Sequence, residues 1–320
     1  MEVSKGRVIF MGTPEFAVAS LRALIDAGID AAAVITAPDR PAGRGQRLRM
    51  SAVKEFALER ELRLLQPEKL RDPAFLADLD ELQADLFVVV AFRMLPAAVW
   101  QKPPLGTINL HASLLPAYRG AAPINWAIIN GETRTGATTF FIREEIDTGD
   151  VLDRIELAIG PEESAGELHD RLMTAGAALL TRTVRRILDG NRSSTPQGPL
   201  PNGSPLAPKL TPDNCRVDWN RPSQHVHNLI RGLSPFPGAW TMLHHADGRA
   251  ERFKILRAKV EVDADNGSDA GAIILKNQAL LVRCADGWLA VTELQPEGRK
   301  RMSAADFIRG AGRLEHARFQ

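Results

Sequence analysis

Short apolar runs alternate with helix-length amphipathic stretches along the first half of the chain, and this alternation is the strongest constraint on its fold. The runs at residues 8–11, 32–36, 86–91 and 107–110 predict buried strands. Residues 51–63, between the second and third runs, carry apolar side chains at helical spacing. Strands that are separated by helices form βαβ units, so we expect an α/β fold with a Rossmann-like, mostly parallel sheet.

Two helices can be given ends from the sequence. Thr13 is placed to cap a helix that has Pro14 as its first residue, and Gly28 is placed to end it. A longer helix is predicted over residues 165–188, because apolar side chains recur on one of its faces. Those side chains are Leu168, Leu172, Leu179, Leu180 and Ile187.

The second part of the chain has a different composition. Residues 191–208 contain five prolines together with glycines and serines, which predicts an extended linker. Beyond it, about five short alternating runs are separated by turn signals such as Asp247-Gly248 and Asp286-Gly287, which predicts a small OB-like β-barrel. We therefore expect an α/β domain over residues 1–190, a linker over 191–208 and a β-barrel domain over 209–320.

Charge and cysteine content narrow the class of protein. The chain has 40 Lys and Arg residues against 39 Asp and Glu residues, and its two cysteines belong to no metal-binding or disulfide pattern. No apolar run approaches the roughly 18 residues that a membrane span needs. We expect a soluble cytoplasmic protein without a membrane anchor. The 17 basic and 13 acidic residues in 206–320 are compatible with nucleic-acid contact but do not establish it.

The residues best suited to chemistry stand at the end of the fourth predicted strand. Asn109 and His111 are two positions apart, so their side chains leave the same face at the sheet edge where α/β proteins bind ligands. An asparagine amide can stabilise an oxyanion, and a histidine can transfer protons near neutral pH. Asp147, in a polar turn, would orient the imidazole if the fold brought the two together.

Each of these residues also has a purely structural interpretation. An asparagine and a histidine at a strand end often satisfy loop backbone, and Asp147-Thr148-Gly149 is an ordinary turn sequence. Ser113 suggests a nucleophile, but it lacks the G-x-S-x-G elbow of serine hydrolases. His225 and His227 would share a face on a strand, without a Cys or carboxylate motif around them, so no metal site is expected.

Several motifs together resemble the formyltetrahydrofolate-dependent formyltransferases. They are Asn109-Leu110-His111, Ser113-Leu114-Leu115-Pro116, Arg119-Gly120-Ala121-Ala122-Pro123 and Asp147-Thr148-Gly149. Three further segments, at residues 11–16, 38–45 and 233–240, resemble the methionyl-tRNA formyltransferases within this family. The resemblance extends from about residue 7 to residue 308.

The resemblance implies transfer of a formyl group from the cosubstrate 10-formyltetrahydrofolate to the α-amino group of methionine on initiator methionyl-tRNA, for translation initiation. We expect a cytoplasmic, monomeric enzyme that needs no metal, because positioned donors suffice for transfer between an activated formamide and an amine. By position, Asn109, His111 and Asp147 are its catalytic residues. The implied folate site consists of Phe92, Met94, Leu95, Ser113, Leu114, Leu115 and Pro116. Phe92 and Arg93 depart from the commoner Tyr-Gly of the family, which leaves the local shape of this pocket open.

A basic segment is the implied tRNA contact. Residues 40–49 contain no acidic side chain and carry Arg40, Arg44, Arg47 and Arg49. Such a run is usually a solvated surface, but the resemblance places Arg44 where the family contacts the acceptor end of tRNA. A second basic cluster, at residues 299–301, is a weaker candidate for contact with the RNA backbone.

Other functions share these motifs. Formyltransferases that act on an amino sugar or on a purine-pathway amine would carry the same three polar residues, and so would a formyltetrahydrofolate hydrolase that uses water as acceptor. A folate- or RNA-binding module without turnover is a further alternative, although a complete set of catalytic residues argues against it.

Overall fold

A computed structural model describes residues 6–42, 47–198, 200, 203–261, 268–276, 279–310, 314 and 317–320. In chain order its strands are β1 Arg7–Gly12, β2 Asp30–Ile35, β3 Arg40–Ala42, β4 Arg47–Arg49, β5 Leu64–Leu65, β6 Leu86–Val90, β7 Thr107–His111, β8 Arg134–Phe141, β9 Val151–Ala158, β10 Ala239–His244, β11 Ala250–Glu261, β12 Ile273–Lys276, β13 Ala279–Arg283, β14 Trp288–Pro296, β15 Met302–Ser303 and β16 Arg318–Phe319. The α-helices are α1 Glu15–Asp26, α2 Ala52–Glu59, α3 Pro73–Glu81, α4 Ala97–Trp100, α5 Pro123–Ile129, α6 Ala165–Leu188, α7 Ser223–Leu233 and α8 Ala304–Gly310.

These elements form two compact units that interleave along the chain. The first is built from residues 1–120, 135–157 and 170–206, and the second from residues 121–134, 158–169 and 207–320. The domain boundaries at residues 190 and 209 stay a prediction. None of the helices in the described part of the chain is both long and apolar enough to cross a membrane.

The first unit contains a seven-stranded sheet in the order β5-β2-β1-β6-β7-β8-β9. The pairs from β5 to β7 are parallel, whereas β7 pairs with β8 in the antiparallel sense. Every residue of β6 is buried, as expected for a strand covered on both faces. The prediction of a mostly parallel Rossmann-like sheet is confirmed, and the carboxyl ends of its parallel strands meet at one edge.

Helix α1 begins later than predicted. It starts at Glu15, and Pro14 occupies the cap position with extended backbone angles, φ −83° and ψ 177°, and without a capping side chain. The prediction that Thr13 caps the helix is wrong; the Thr13 carbonyl instead accepts the Val53 N–H. The extended backbone of Pro14 moves the first helical turn forward by one residue. The predicted end is correct, because Gly28 has a φ of +75° and donates its N–H to Ile25.

The second unit contains a seven-stranded sheet, whose main path runs β12-β13-β14-β11-β10-β16 with β15 beside β14. All of its pairs are antiparallel. A bridge between Ala272 and Arg318 brings the two ends of this path together, so the sheet closes into a barrel. At the closure a Cβ on Gly271 would lie 2.0 Å from the Phe319 carbonyl oxygen, which explains the glycine. The predicted small β-barrel is confirmed.

Helix α7 corrects the interpretation of one histidine pair. Residues two apart on a helix point in nearly opposite directions, so His225 and His227 do not share a face. His225 is exposed, whereas His227 is buried with its Nε2 3.4 Å from the Glu162 carboxylate. Burial is the main cause that lowers the pKa of His227, partly opposed by the charge of Glu162. The described residues hold no group of three or more potential ligands placed for a metal ion.

Helix α6 has the bounds that the sequence predicts, and its first turn is fixed by a capping box. Ser164 Oγ accepts the Glu167 N–H at 3.3 Å, and the Glu167 carboxylate accepts the Ser164 N–H at 2.8 Å. The Ser164 hydroxyl also donates to Glu167 Oε2 at 2.7 Å. These bonds, with a smaller contribution from Arg257, lower the pKa of Glu167 to about 2.

This capping box predicts a pH-dependent loss of stability. A carboxyl group whose pKa is lowered on folding stabilises the native state above its unfolded pKa of about 4.5, and this contribution disappears as the pH falls from there towards 2. Because half of the Glu167 side chain is exposed, we expect Glu167→Gln to cost only about 1 kcal/mol at neutral pH. Urea denaturation at a series of pH values should show the difference from wild type shrinking below about pH 4.5. The exposed Glu261 provides the control substitution Glu261→Gln, and a difference that keeps its full neutral-pH size at about pH 3 would contradict this explanation.

Candidate active site

The carboxyl end of β7 carries Asn109 and His111. Asn109 lies between Val89 of β6 and Phe140 of β8, and His111 is paired with Thr138 of β8. The strand extends one residue further than predicted, so His111 is its last residue. Both side chains therefore leave the same face of the sheet, at the edge where the parallel strands end.

The imidazole of His111 is buried and anchored on one side. Its Nε2 lies 2.8 Å from the Tyr118 carbonyl oxygen. Since a carbonyl can only accept a hydrogen bond, Nε2 carries a proton in this arrangement. Tyr118 has a φ of +59°, which directs its carbonyl within the loop that follows β7. The other ring nitrogen, Nδ1, therefore remains available to interact with charged groups in the site.

The carboxylate of Asp147 meets that nitrogen. Its Oδ2 lies 3.7 Å from His111 Nδ1, and the exposed fractions of the two side chains are 12% and 7%. The same oxygen accepts the backbone N–H of Gly120 at 3.0 Å. A negative charge in this position attracts a proton on Nδ1 and restrains the ring. Asp147 itself has a φ of +55°, an uncommon backbone conformation for a residue other than glycine.

The loop that carries Asp147 is held closely against neighbouring backbone. A Cβ on Gly149 would lie 1.6 Å from the Phe141 carbonyl oxygen, so only glycine fits there. Gln197 donates from Nε2 to the carbonyl oxygens of Asp147 at 2.9 Å and Gly149 at 2.6 Å. Gln197 was not a candidate from sequence, because an isolated glutamine in a proline-rich segment carries no pattern.

The amide of Asn109 is available to a ligand. Its side chain is half-buried, and within the described part of the chain the structure gives it no hydrogen-bond partner. An uncommitted amide next to a buried histidine can donate to an oxygen on which negative charge develops.

The loop after β7 contains the first part of the predicted folate site. Ser113 is fully buried, and its hydroxyl donates to the Ala117 carbonyl at 2.7 Å. Thr138 ties the same loop to β8, because its hydroxyl donates to the Ser113 carbonyl and accepts the Leu115 N–H. Leu115 is buried, while Leu114 and Pro116 are half-buried. The hydroxyl of Ser113 thus stabilises the loop.

The segment after β6 contains the rest of the predicted folate site. Met94 is 70% exposed, Phe92 is half-buried and Leu95 packs into the core. Arg93 does not project freely: its guanidinium donates to the backbone carbonyls of Pro67 and Glu68, next to β5. Burial is the main cause that lowers the pKa of Arg93, and the charge of Arg40 adds to it. Arg93 therefore joins two loops at the carboxyl edge of the sheet.

The basic segment forms a two-stranded ribbon of β3 and β4. Arg40 and Arg49 are cross-strand partners and both are exposed. Like charges in this position repel each other, and no ion pair with either side chain occurs among the described residues. Arg47 lies opposite Ala42 in β4, whereas Arg44 lies outside the described residues.

The barrel presents a second basic surface, which we call the Trp240 face. The indole of Trp240 has the guanidinium carbon of Arg252 at 4.1 Å and that of Arg216 at 5.3 Å from its ring centroid. Lys254 is the cross-strand partner of Trp240 in β11. Neither arginine forms an ion pair with a described residue. In the cluster predicted at residues 299–301, by contrast, Arg301 is paired with Glu293.

Two family models match the chain. Residues 6–184 match the formyl transferase family, and residues 209–312 match the formyl transferase C-terminal domain. The chain is 50% identical over 308 residues to the methionyl-tRNA formyltransferase of Flavobacterium johnsoniae, covering 96% of this chain and 97% of the relative. It is 49% identical over 313 residues to that of Porphyromonas gingivalis, covering 97% of each chain.

A solved structure extends the comparison to the fold. The chain is similar to HypX from Aquifex aeolicus in complex with tetrahydrofolic acid, with a TM-score of 0.63 and 18% identity. This similarity covers 95% of the chain, which spans about half (47%) of the HypX chain. The family matches and the high identity over nearly the whole length confirm the resemblance seen in the motifs, and the chain belongs to the formyl transferase family.

Proposed function

We propose that this protein transfers the formyl group of 10-formyltetrahydrofolate to the α-amino group of methionine on initiator methionyl-tRNA. The observation that carries this proposal is the pairing of the Asp147 carboxylate with the His111 ring, 3.7 Å apart, beside the uncommitted amide of Asn109. The methionyl-tRNA formyltransferases to which the chain is about 50% identical over nearly its whole length support the same acceptor.

Asn109 and His111 act on the oxygen of the formyl group. When the neutral amine adds to the formyl carbon, negative charge develops on that oxygen, and two preorganised donors stabilise it. The Asn109 amide supplies one N–H, and a protonated His111 supplies the other from Nδ1. The anchoring of Nε2 to Tyr118 leaves Nδ1 as the nitrogen that can do so.

Asp147 holds the proton and the ring in place. Its carboxylate attracts the proton on Nδ1 of His111 and can accept the proton that the amine loses, directly or through one water molecule. Collapse of the adduct breaks the bond between the formyl carbon and the folate nitrogen, which takes up a proton. Because a free α-amino group has a pKa near about 8, a neutral fraction of the amine exists without a strong base.

The residues around this site suit a folate. The half-buried Phe92, Leu114 and Pro116 and the exposed Met94 offer apolar surface for a flat ring. Leu95 and Leu115 are buried, and Phe92 packs against the core cluster that contains Leu95. The folate supplies the activated formyl group, and these side chains bind and orient it.

Two surfaces suit the RNA part of the acceptor. The β3–β4 ribbon offers Arg40 and Arg49 without acidic partners among the described residues. The Trp240 face combines arginines with an aromatic ring, the combination by which proteins contact RNA backbone and bases. The sequence-based assignments of Arg44 and Arg47 to tRNA contact belong to the same proposal; Arg47 is the first residue of β4.

These surfaces predict a salt-dependent loss of RNA binding. Arg40→Ala, Arg49→Ala and Arg252→Ala should each weaken binding of initiator tRNA. Each lost phosphate contact should also reduce the slope of log Kd against log salt by roughly 0.7–0.9. Filter binding over a range of salt concentrations measures both effects.

The controls for this prediction are arginines of each unit outside the two surfaces. Arg154 is exposed on β9 and Arg309 is paired with Asp306. Arg154→Ala and Arg309→Ala should leave the slope unchanged. If all the arginine variants, including these two, weaken binding equally, then the attraction comes from general charge and not from these surfaces.

One assay separates the proposed reaction from its alternatives. The purified protein is incubated with 10-formyltetrahydrofolate and with charged initiator tRNA, free methionine, an amino sugar nucleotide or water alone. We expect rapid formylation of the charged tRNA only. Formylation that does not require tRNA would refute the RNA substrate, and release of formate without an amine acceptor would identify a hydrolase.

We also infer that the protein acts as a monomer in the cytoplasm, where charged initiator tRNA is used. Both cysteines are free and buried, which suits a reducing compartment. Light scattering after size exclusion should give a mass near 35.0 kDa, and a stable mass of twice that value would contradict the monomer.

A further inference from the structure

We propose that Gln197, in the proline-rich segment 191–208, is a positioning residue that sets the backbone of the Asp147 loop for catalysis. The inference rests on the proposed function, because it concerns the same candidate carboxylate. It adds a role for the segment that the sequence predicts only as a linker.

The side-chain amide of Gln197 forms hydrogen bonds with the Asp147 loop and with Arg119. Nε2 donates to the carbonyls of Asp147 and Gly149, and Oε1 accepts from the Arg119 guanidinium, with Arg119 Nη2 at 2.7 Å and Nε at 3.3 Å. The carbonyls can only accept and the guanidinium can only donate, so these partners determine the orientation of the amide. Its Nε2 faces the two carbonyls, and its Oε1 faces Arg119. No other neutral side chain of this length offers two donors and an acceptor in this arrangement.

The segment that carries Gln197 is itself fixed to the sheet. Two residues before it, Thr195 exchanges both backbone hydrogen bonds with Val151, the first residue of β9, at 2.7 and 2.8 Å. Arg119 lies next to Gly120, whose N–H binds the Asp147 carboxylate. The segment that contains Thr195 and Gln197 therefore connects the start of β9, the loop after β7 and the loop of Asp147.

The Asp147 loop needs such support because its backbone is unfavourable by itself. Asp147 has a positive φ, which is energetically unfavourable at a residue other than glycine and persists only where surrounding contacts impose it. Gln197 binds the carbonyl of Asp147 and that of Gly149, on both sides of Thr148. Without these bonds we expect the loop to move, and with it the carboxylate that faces His111.

The test uses two substitutions of Gln197 in the full-length protein. Gln197→Ala removes all the bonds. Gln197→Glu keeps the shape and the bond to Arg119, but sets a carboxylate against two carbonyl oxygens. A displacement of about 1 Å at a catalytic group can cost about a hundredfold in rate, so we expect kcat to fall about ten- to a hundredfold. The fall should be at least as large in Gln197→Glu as in Gln197→Ala, with KM for folate and tRNA changed less than about twofold.

Two further readouts separate positioning from general stability. Hydrogen exchange of the peptide that spans residues 143–150 should speed up in both variants, while Tm stays within a few degrees of wild type. Ser194→Ala is the matched control, since Ser194 is exposed in the same segment, and it should change neither kcat nor exchange.

The outcomes distinguish this inference from the proposed function. Unchanged kcat in Gln197→Ala would overturn the positioning role. So would changes in kcat and KM that are fully explained by a lowered Tm. If wild type itself formylates no tRNA, the proposed function fails. The exchange of residues 143–150 then decides on its own whether Gln197 holds the loop, and exchange equal to wild type would overturn that as well.

Discussion

Replacing His111 by alanine should lower kcat for formyl transfer by about 10²- to 10³-fold, or about 2.7–4 kcal/mol of transition-state stabilisation. The substitution removes the donor at Nδ1 and the group through which Asp147 acts. Because the charge on the formyl oxygen exists only in the transition state, KM for both substrates should change little. Single-turnover formylation of charged tRNA measures the chemical step directly.

Folding is the main alternative explanation for a loss of activity, because His111 is buried. His111→Gln retains a donor that can reach the Tyr118 carbonyl, and it should keep the Tm while remaining slow. The exposed His225 on α7 gives the control variant His225→Ala, which should have wild-type kcat. Near-normal turnover in His111→Ala would remove this residue from the mechanism.

Asn109→Ala tests the second donor independently. Since the amide has no partner among the described residues, its removal leaves no buried group unsatisfied and should not affect stability. A loss of kcat in Asn109→Ala would therefore report on the reaction itself.

Long elements with strong local signals were predictable. Helix α6 begins and ends where its periodic apolar face predicts, and the capping box of Ser164 and Glu167 fixes its start. The sheet and barrel followed from the alternation of strands and turns. At α1 the cap was misplaced, because the backbone of Pro14, and not the preference of Thr13 for cap positions, decides where the first turn begins.

Helix α7 was missed although its sequence carried a usable signal. Val226, Leu229, Ile230 and Leu233 recur at helical spacing, and the first three of its residues are polar. The ribbon of β3 and β4 and the two-residue β5 were too short to produce a period at all.

The candidate site was predictable only as a set of residues, not as a geometry. Asn109 and His111 could be placed together because they share one strand. The approach of Asp147 to His111 depends on its left-handed backbone and on the contact with Gly120, and neither has a local sequence signal. The same holds for Gln197, whose partners come from two distant loops. Contacts between loops that are distant in sequence cannot be predicted from local sequence patterns.

Replacing Asp147 by asparagine should slow formyl transfer by about 10²-fold or more while leaving the loop in place. The asparagine side-chain oxygen can still accept the Gly120 N–H, and the backbone carbonyl can still accept from Gln197. What the variant loses is the negative charge 3.7 Å from His111 Nδ1, and hence the attraction for a proton on that nitrogen. The structure and the substrate sites remain, so KM and Tm should stay close to wild type.

A double-mutant cycle then shows whether the two side chains act as a unit. If Asp147 works through the His111 ring, Asp147→Asn should cost little more in a His111→Ala background than His111→Ala costs alone, because residues that act together give strongly non-additive losses. If the two losses multiply instead, Asp147 acts on the amine proton independently of the ring. The proposed chemistry allows the carboxylate both to restrain the ring and to accept that proton. The coupling free energy between Asp147 and His111 therefore measures how much of the effect of Asp147 depends on the ring. A wild-type rate in Asp147→Asn would contradict both, because no other carboxylate of a described residue is paired with the imidazole.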